Sequence, residues 1–589
     1  MKNNHGTVSN IRYALKLIRT CSPHYLLWEI VYGILLGIWG SAAVVFTQIF
    51  YNALFEDGDF PEILRIVGIM LILTVLSQFW SQWYTSVFRP KMRARLQYGV
   101  NRILFEKNAE LDLDCYNNPE FYNDFVWAMS ECDSQLAGVV DSISNTFQHV
   151  LAFVISSGVM ASVSPVLAIV AVLTSIMHIV LQRFWIKSDL KRKLALTPLN
   201  RKNAYYESLF NTPDYAKDMR TSRVSEILSE KYTENQKQIK DTHIKYNSKL
   251  LKYIIPFNLL SGIMQPIVYG ILFYQIIVQK TLGMAALAVA FTAFWSLRYR
   301  IQGVIDLFLK YSQHGLYIGQ IRKYMSYCSA VRFGDIAAPA FQSMELKNVS
   351  FGYVPGKTVL SNISMKINRG EKIAIVGYNG AGKSTLISLL LHLYNPEQGE
   401  ILYNGKSIEE FDSASIHSRI GVVLQDYRIF ALPLSENVLR DKFEESDESR
   451  IRYALENACF ESKLQTLPDG ICSEMTKEFY KDGVNLSGGE SQKVAISRIF
   501  ASPFDVIIMD EPSAALDPKA EHDLSINLAK HSKEKTVIII SHRLSTTCAM
   551  DKIYMFDGGK IIEEGSHSEL MEAGGKYAQI FNMQAEKYQ

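Results

Sequence analysis

The residues of this chain best suited to chemistry are Gly377-Tyr378-Asn379-Gly380-Ala381-Gly382-Lys383-Ser384, followed by Thr385. Glycines at this spacing let successive backbone N–H groups point inward. A helix opening at the lysine adds its positive dipole end, so the stretch forms a cradle for phosphate oxygens. Lys383 then reaches the β- and γ-phosphates, and the Ser384 hydroxyl is suited to ligate Mg²⁺. The flanks have the form such a loop needs: Lys372–Val376 reads as a buried strand and Thr385–Leu391 as a helix packed on a sheet. With that strand and helix in place, a mere glycine turn capping a helix is the weaker reading. The pattern implies a bound nucleoside triphosphate, ATP with Mg²⁺.

Further along, Val506-Ile507-Ile508-Met509-Asp510 is a short apolar run ending in a carboxylate, the form of a buried strand that delivers an acid to Mg²⁺. Glu511 follows directly and is placed to act as a general base on an attacking water. Another apolar strand, Val537–Ile540, leads into Ser541-His542, whose imidazole would meet the γ-phosphate or the water; a structural histidine is the plainer alternative. Gln425 closes the apolar run Ile420–Leu424, and its amide suits a metal or water contact.

These groups need a scaffold, and 589 residues are too many for one core. The hydrophobic content of 48% is ordinary for a soluble protein; its distribution is not. Five long uncharged runs, Ile30–Phe55, Ile66–Phe88, Ser142–Gln182, Tyr253–Gln279 and Thr281–Leu297, lie in the first half. A spanning helix needs about 20 apolar residues. The third run is about twice that length and breaks at Ser164-Pro165, and the fifth continues as helix through Ile301 to Leu309, which makes six spans. The net charge of +2 argues against a nucleic-acid binder. Seven scattered cysteines form no C-x-x-C pair or zinc pattern, so they read as reduced or inert thiols. The first apolar run is too long for a cleavable signal.

Loop charges set the orientation. Lys2, Arg12, Lys16 and Arg19 precede the first span, and the loops 89–141 and 183–252 are rich in Lys and Arg, whereas the alternate loop at 56–59 is acidic. Both termini and both long loops are therefore expected in the cytoplasm. Asn10–Ser22 has an amphipathic pattern suited to the inner membrane surface, or to a solvated leader helix. Pro119 and Pro213 are expected to break the long loops at their tips. Arg298 and Arg300 fall within the last span, where they either line a polar cavity that meets anionic groups on cargo or snorkel to headgroups.

One further motif brings these readings together. Leu486-Ser487-Gly488-Gly489-Glu490, ahead of Asp510-Glu511, Ala515-Leu516-Asp517 and His542, resembles the signature of the ABC-transporter superfamily, and the order of motifs matches it from about residue 343 onward. With six preceding spans the whole chain resembles an exporter-type half-transporter. That resemblance implies a membrane all-α six-helix transmembrane domain followed by an α/β P-loop ATPase domain with a helical subdomain. The implied boundaries are a cytoplasmic segment at 1–24, the transmembrane domain at 25–310, a linker at 311–342 and the ATPase at 343–589. It also implies that Tyr353 stacks on adenine, and that Ser487, Gly488 and Gly489 meet the γ-phosphate of ATP held by a second half-transporter chain, in a homodimer or a heterodimer. Glu511, Gln425 and His542 would serve catalysis; Ser384, Gln425 and Asp510 would serve the metal. The tips near 117–121 and 213–216 would be the coupling segments. Two departures stand out: Glu478–Gly483 replaces the acidic, glycine-containing stretch found before the signature in family exporters, and Ala514 stands where many relatives have Ser.

The expected function is ATP-driven export of a peptide or amphipathic small molecule across a bacterial plasma membrane. The short segment before the first span leaves a peptide cargo to arrive mature. An importer of metal–chelate complexes on the same architecture is the alternative, and a nucleotide-gated channel is a third reading that the intact Glu511 disfavours.

Overall fold

The computed structural model describes residues 6–585 except 58–59, 213–214, 281–282, 355, 513–515 and 542–543. The chain divides into two compact units. One comprises 1–109 with 123–326, and the other 110–122 with 327–589.

The first unit is helical: α1 (Thr7–Cys21), α2 (Pro23–Asn52), α3 (Phe60–Trp83), α4 (Arg89–Glu110), then, beyond the short α5 (Leu113–Asn117), α6 (Pro119–Val163), α7 (Pro165–Asn211), α8 (Ala216–Thr221), α9 (Val224–Phe273) and α10 (Met284–Met325). Among the described residues, the stretches Pro23–Phe55, Phe60–Glu110 and Glu120–Val163 are long and apolar enough to cross a bilayer. The remaining expected spans fall in α7, α9 and α10. The third apolar run breaks at Ser164, whose extended backbone caps α7 and whose hydroxyl donates to Gln275 Oε1 at 3.1 Å.

Two features depart from the sequence reading. Helix α10 continues to Met325, so much of the stretch read as a linker from 311 is helical. Its glycines explain why: Gly315 and Gly319 offer no side chain, and α1 packs over them, with Asn10 Nδ2 donating to Gly315 O at 2.8 Å. Accordingly α1 buries the Asn10, Ala14 and Ile18 face, spaced at i and i+4, against protein. A π-turn at Tyr84–Phe88 joins α3 to α4 and precedes Arg89, which grips the fully buried Glu29 of α2 through two hydrogen bonds of 2.7 Å. Removing one member of such a pair leaves a buried charge unpaired and costs about 3–5 kcal/mol.

The second unit is α/β. Strands β1 (Ser343–Phe351), β2 (Leu360–Asn368), β4 (Gln398–Tyr403) and β5 (Lys406–Ser407) form an antiparallel sheet in the order β2-β1-β4-β5. Strands β3 (Lys372–Gly377), β6 (Ile420–Val423), β7 (Val506–Asp510), β8 (Thr536–Ile540), β9 (Lys552–Asp557) and β10 (Lys560–Gly565) form a second, in the order β10-β9-β3-β8-β7-β6. All of its pairings are parallel except β9–β10. Helix α11 (Lys383–Leu390) packs with both sheets in one apolar core. After the short α12 (Ser413–Arg419), a second core joins β7 to the helical part, α13 (Leu434–Leu439), α14 (Glu448–Asn457), α15 (Glu461–Leu464) and α16 (Gly488–Ala501).

The loop tip 110–122 packs within this α/β unit. Asp112 caps α5 by accepting from Cys115 N at 3.3 Å. Its other oxygen accepts from Ala330 N at 2.5 Å, Val331 N at 3.1 Å and Ser329 Oγ at 3.1 Å. Burial pushes this carboxyl upward, but the hydrogen bonds from Cys115, Val331, Ala330 and Ser329 outweigh it and hold the acid below its usual range. Its contribution is thus fully present above the ordinary carboxylate range and lost as pH falls through the lowered value. Asp112→Asn removes the charge from this network. Amide exchange at 330–331 should then accelerate about tenfold or more, the equivalent of one charge-assisted hydrogen bond. Hydrogen-exchange mass spectrometry at neutral pH checks this, and unchanged protection would show that the carboxylate does not hold the tip.

Candidate nucleotide-binding site

The site follows from strand order. In the parallel sheet β8 lies between β3 and β7, so the loop after β3 and the acid ending β7 emerge at the same carboxyl edge. Gly380 and Gly382 have φ of 80° and 96°, a backbone that L side chains rarely adopt. A Cβ on Gly382 would also strike the Leu360 side chain. This left-handed Gly382 is the N-cap of α11, which turns the first helical N–H groups toward the loop.

Lys383 is buried, and its Nζ donates to Gly377 O at 2.8 Å and Tyr378 O at 2.9 Å, which sets the ammonium across the loop. Burial pulls its pKa down, while the nearby Glu511 and Asp510 carboxylates oppose that pull. Ser384 Oγ donates to Asp510 Oδ2 at 3.1 Å, so the hydroxyl and carboxylate called on for a metal stand together. Gln425 Nε2 donates to Glu511 Oε2 at 3.2 Å. Gln425 therefore meets the acid next to Asp510, one position along from the metal pair.

Tyr353 lies at the rim with its hydroxyl donating to Thr385 Oγ1 at 3.2 Å and its ring edge-on to Phe351 and Tyr394, at 5.0 and 5.3 Å. Asn379 borders a cavity of about 430 Å³ together with Gly377, Tyr378, Ser541 and Tyr577. Ser487 is the N-cap of α16. Its Oγ accepts from Glu490 N at 3.3 Å, and Glu490 Oε2 accepts from Ser487 N at 2.7 Å. Among the described residues no hydrogen bond joins 487–489 to the phosphate loop of the same chain. His542 and Ala515 lie outside the described residues, as do residues 213–214 of the second tip.

Three features escaped the sequence reading. Glu511 has φ of 50°, uncommon outside glycine and costly by about 1–3 kcal/mol. A strand-edge hydrogen bond from its N–H to Ile540 O at 3.0 Å holds it there. Gln492 Nε2 on α16 donates to Glu511 O at 3.2 Å, and Tyr427 OH donates to Gly488 O at 3.0 Å, so the signature helix is bonded to the segments bearing Glu511 and Gln425. The Asn117 side chain of α5 lies beside the Tyr394 hydroxyl, which sets the loop tip against the aromatic rim. These contacts join segments distant in sequence, so no local pattern marks them.

The strand–loop–helix cradle, a strand-end Asp-Glu and a serine-capped helix define a P-loop nucleotide-binding unit. Residues 360–514 match the ABC transporter family model. Over 248 residues the chain is 34% identical to the ATP-dependent lipid A-core flippase of Alcanivorax borkumensis, covering 42% of this chain and 42% of that protein. It is 26% identical to the subtilin transport ATP-binding protein of Bacillus subtilis over 96% of this chain and 92% of that protein. The first curated relatives are matched over only 41%, 39% and 42% of their own length. A bacterial Atm1-family ABC exporter with ATP bound superposes with a TM-score of 0.77 at 23% identity, over 95% of this chain and 98% of that one. The α/β unit thus carries a region similar to the ABC transporter ATP-binding family, joined to a unit of helices long and apolar enough to cross a bilayer, in a chain with the fold of an ABC exporter.

Lys383→Ala removes the ammonium aimed into the loop. Affinity for a fluorescent ATP analogue should fall about tenfold or more, the worth of charge-assisted contacts to phosphate. Native affinity in an equilibrium titration would mean that the nucleotide sits elsewhere.

Proposed function

We propose that this chain is half of a dimeric, ATP-driven exporter that moves a peptide or amphipathic small molecule out across a bacterial plasma membrane. The observation that carries this reading is one chain pairing a phosphate loop, Asp510-Glu511 and a signature helix with a second unit of bilayer-length helices. Similarity to a subtilin transport protein along nearly the full chain supports a peptide or amphipathic cargo. Loop charge supports cytoplasmic termini and a cytoplasmic ATPase.

In this reading Lys383 neutralises β/γ-phosphate charge. Ser384 Oγ and Asp510, hard oxygen donors 3.1 Å apart, would hold Mg²⁺ with Gln425 nearby, and the ion would supply charge neutralisation at the phosphates. Glu511, held by the Gln425 amide, accepts the proton of the attacking water. Tyr353 offers a ring to adenine, and His542 is assigned to the γ-phosphate. Ser487 Oγ accepts from Glu490 N, which leaves its O–H to donate. With the Gly488 and Gly489 N–H groups at the start of α16, it would close on ATP held by the partner chain. Two such sites form per dimer, a homodimer being favoured because Lys383, Asp510, Glu511 and His542 are all intact. Closure would reach the membrane helices through α5, continuous in sequence with α4 and α6 and with Asn117 beside Tyr394, which packs on Tyr353.

Glu511→Gln should lower ATP hydrolysis by about 100-fold or more while ATP binding persists, as expected when a general base is lost. Phosphate release and nucleotide binding on the purified protein measure this. In inside-out vesicles with ATP outside, labelled cargo should accumulate in the lumen; ATP-dependent movement the other way would replace export with import.

A further inference from the structure

We propose that Arg300, with His149 beside it, forms a recognition site in the helical unit for an oxyanion, a carboxylate or phosphate, on an amphipathic cargo. The proposal rests on the transporter reading above and names the chemistry of what is carried.

Arg300 lies about 24 Å along α10 from Met284 at 1.5 Å per residue, within the depth of a bilayer's apolar core. It is only 8% exposed. It makes no hydrogen bond or ion pair with any described residue, and its Nε is buried without a partner. Its guanidinium lies over the ring of Tyr299, at 5.4 Å. A charge this deep is ordinarily paired or directed at a ligand. The contrast within the same unit is direct, because the buried Glu29 receives two hydrogen bonds from Arg89.

The surroundings make room for this charge. A Cβ on Gly40 of α2 would collide with Arg300 Nη2, so a glycine keeps the seat of the guanidinium open. Across from it, His149 of α6 has a buried Nδ1 with no partner, a ring 5.8 Å from that of Tyr299, and its own space cleared by Gly303. One turn before Arg300, the hydroxyl of Ser296 on α10 is hydrogen-bonded with that of Ser156 on α6, 3.1 Å apart. Two unsatisfied nitrogen-bearing groups thus converge where α2, α6 and α10 meet. A guanidinium binds carboxylate and phosphate through a planar fork of donors. Arg298, its neighbour two residues earlier on α10, lies with its guanidinium over the Trp295 ring at 5.0 Å.

The test uses the full chain in phosphatidylcholine nanodiscs. N-dodecanoylglycine is titrated against its uncharged glycinamide, with dodecyl phosphate as a second anion, and binding is read by tryptophan fluorescence. The native protein should prefer each anion over the amide by about tenfold or more, the worth of a charge-assisted hydrogen bond. Arg300→Gln should abolish the preference, Arg300→Lys should keep part of it, and Arg298→Gln should leave it. Gly40→Ala, which displaces the guanidinium without removing it, should weaken it and serves if Arg300→Gln does not fold. Competition by added phosphatidylglycerol would assign the oxyanion to a lipid headgroup; no competition would assign it to a free amphiphile. Equal binding of anion and amide by the native protein, or a preference that survives in folded, ATP-binding Arg300→Gln protein, overturns the proposal. Glu511→Gln should retain the preference without turnover, whereas failure of ATP-driven movement by the native protein would remove the transporter reading and leave this site separately decided.

Discussion

The parallel pairing of β3 and β7 on either side of β8 is the constraint on which the nucleotide site depends. Strands buried on both faces must be apolar throughout, and Ile373–Val376, Val506–Met509 and most of Val537–Ile540 are. Because the strands run the same way, everything polar is deferred to their carboxyl ends. The phosphate loop, Asp510 and Glu511 meet there without any of them being neighbours along β8. The Ser384–Asp510 hydrogen bond reports this convergence, joining residues far apart in the chain through a register fixed by apolar packing.

The helical unit handles charge by a different rule. Its apolar surroundings make an unpaired ion costly, and Glu29 and Arg89 meet that cost with two short hydrogen bonds, the guanidinium also lying 5.4 Å from the centre of the Tyr32 ring. The same reasoning makes Arg300 conspicuous, since its neighbour Gly40 gives space where a partner would be expected. At Arg300 glycine decides how closely the side chain approaches its neighbours, as it does where α1 lies over Gly315 and Gly319.

Much of the architecture was legible because its signals are local. The phosphate loop is contiguous, the strand-end acids follow their own apolar runs, and the break at Ser164-Pro165 is written in a proline that cannot continue a helix. What escaped was set by contacts between distant segments. The extension of α10 to Met325 depends on α1 packing on its glycines, and the left-handed backbone of Glu511 depends on β8. The placement of Asp112 and Asn117 in the α/β unit depends on residues 330, 331 and 394, which no periodicity links to them.

By itself, then, the sequence determined the two-part architecture, the phosphate-binding chemistry and the apolar helices, because each follows from residue type at short spacing. Tertiary structure alone decided that Gln425 holds Glu511, that α16 is bonded to the Glu511 backbone, and that the buried Arg300 Nε has no partner among the described residues. The physical reason is the same throughout: whether a polar group is satisfied depends on what other segments bring to it, and burial makes that difference matter.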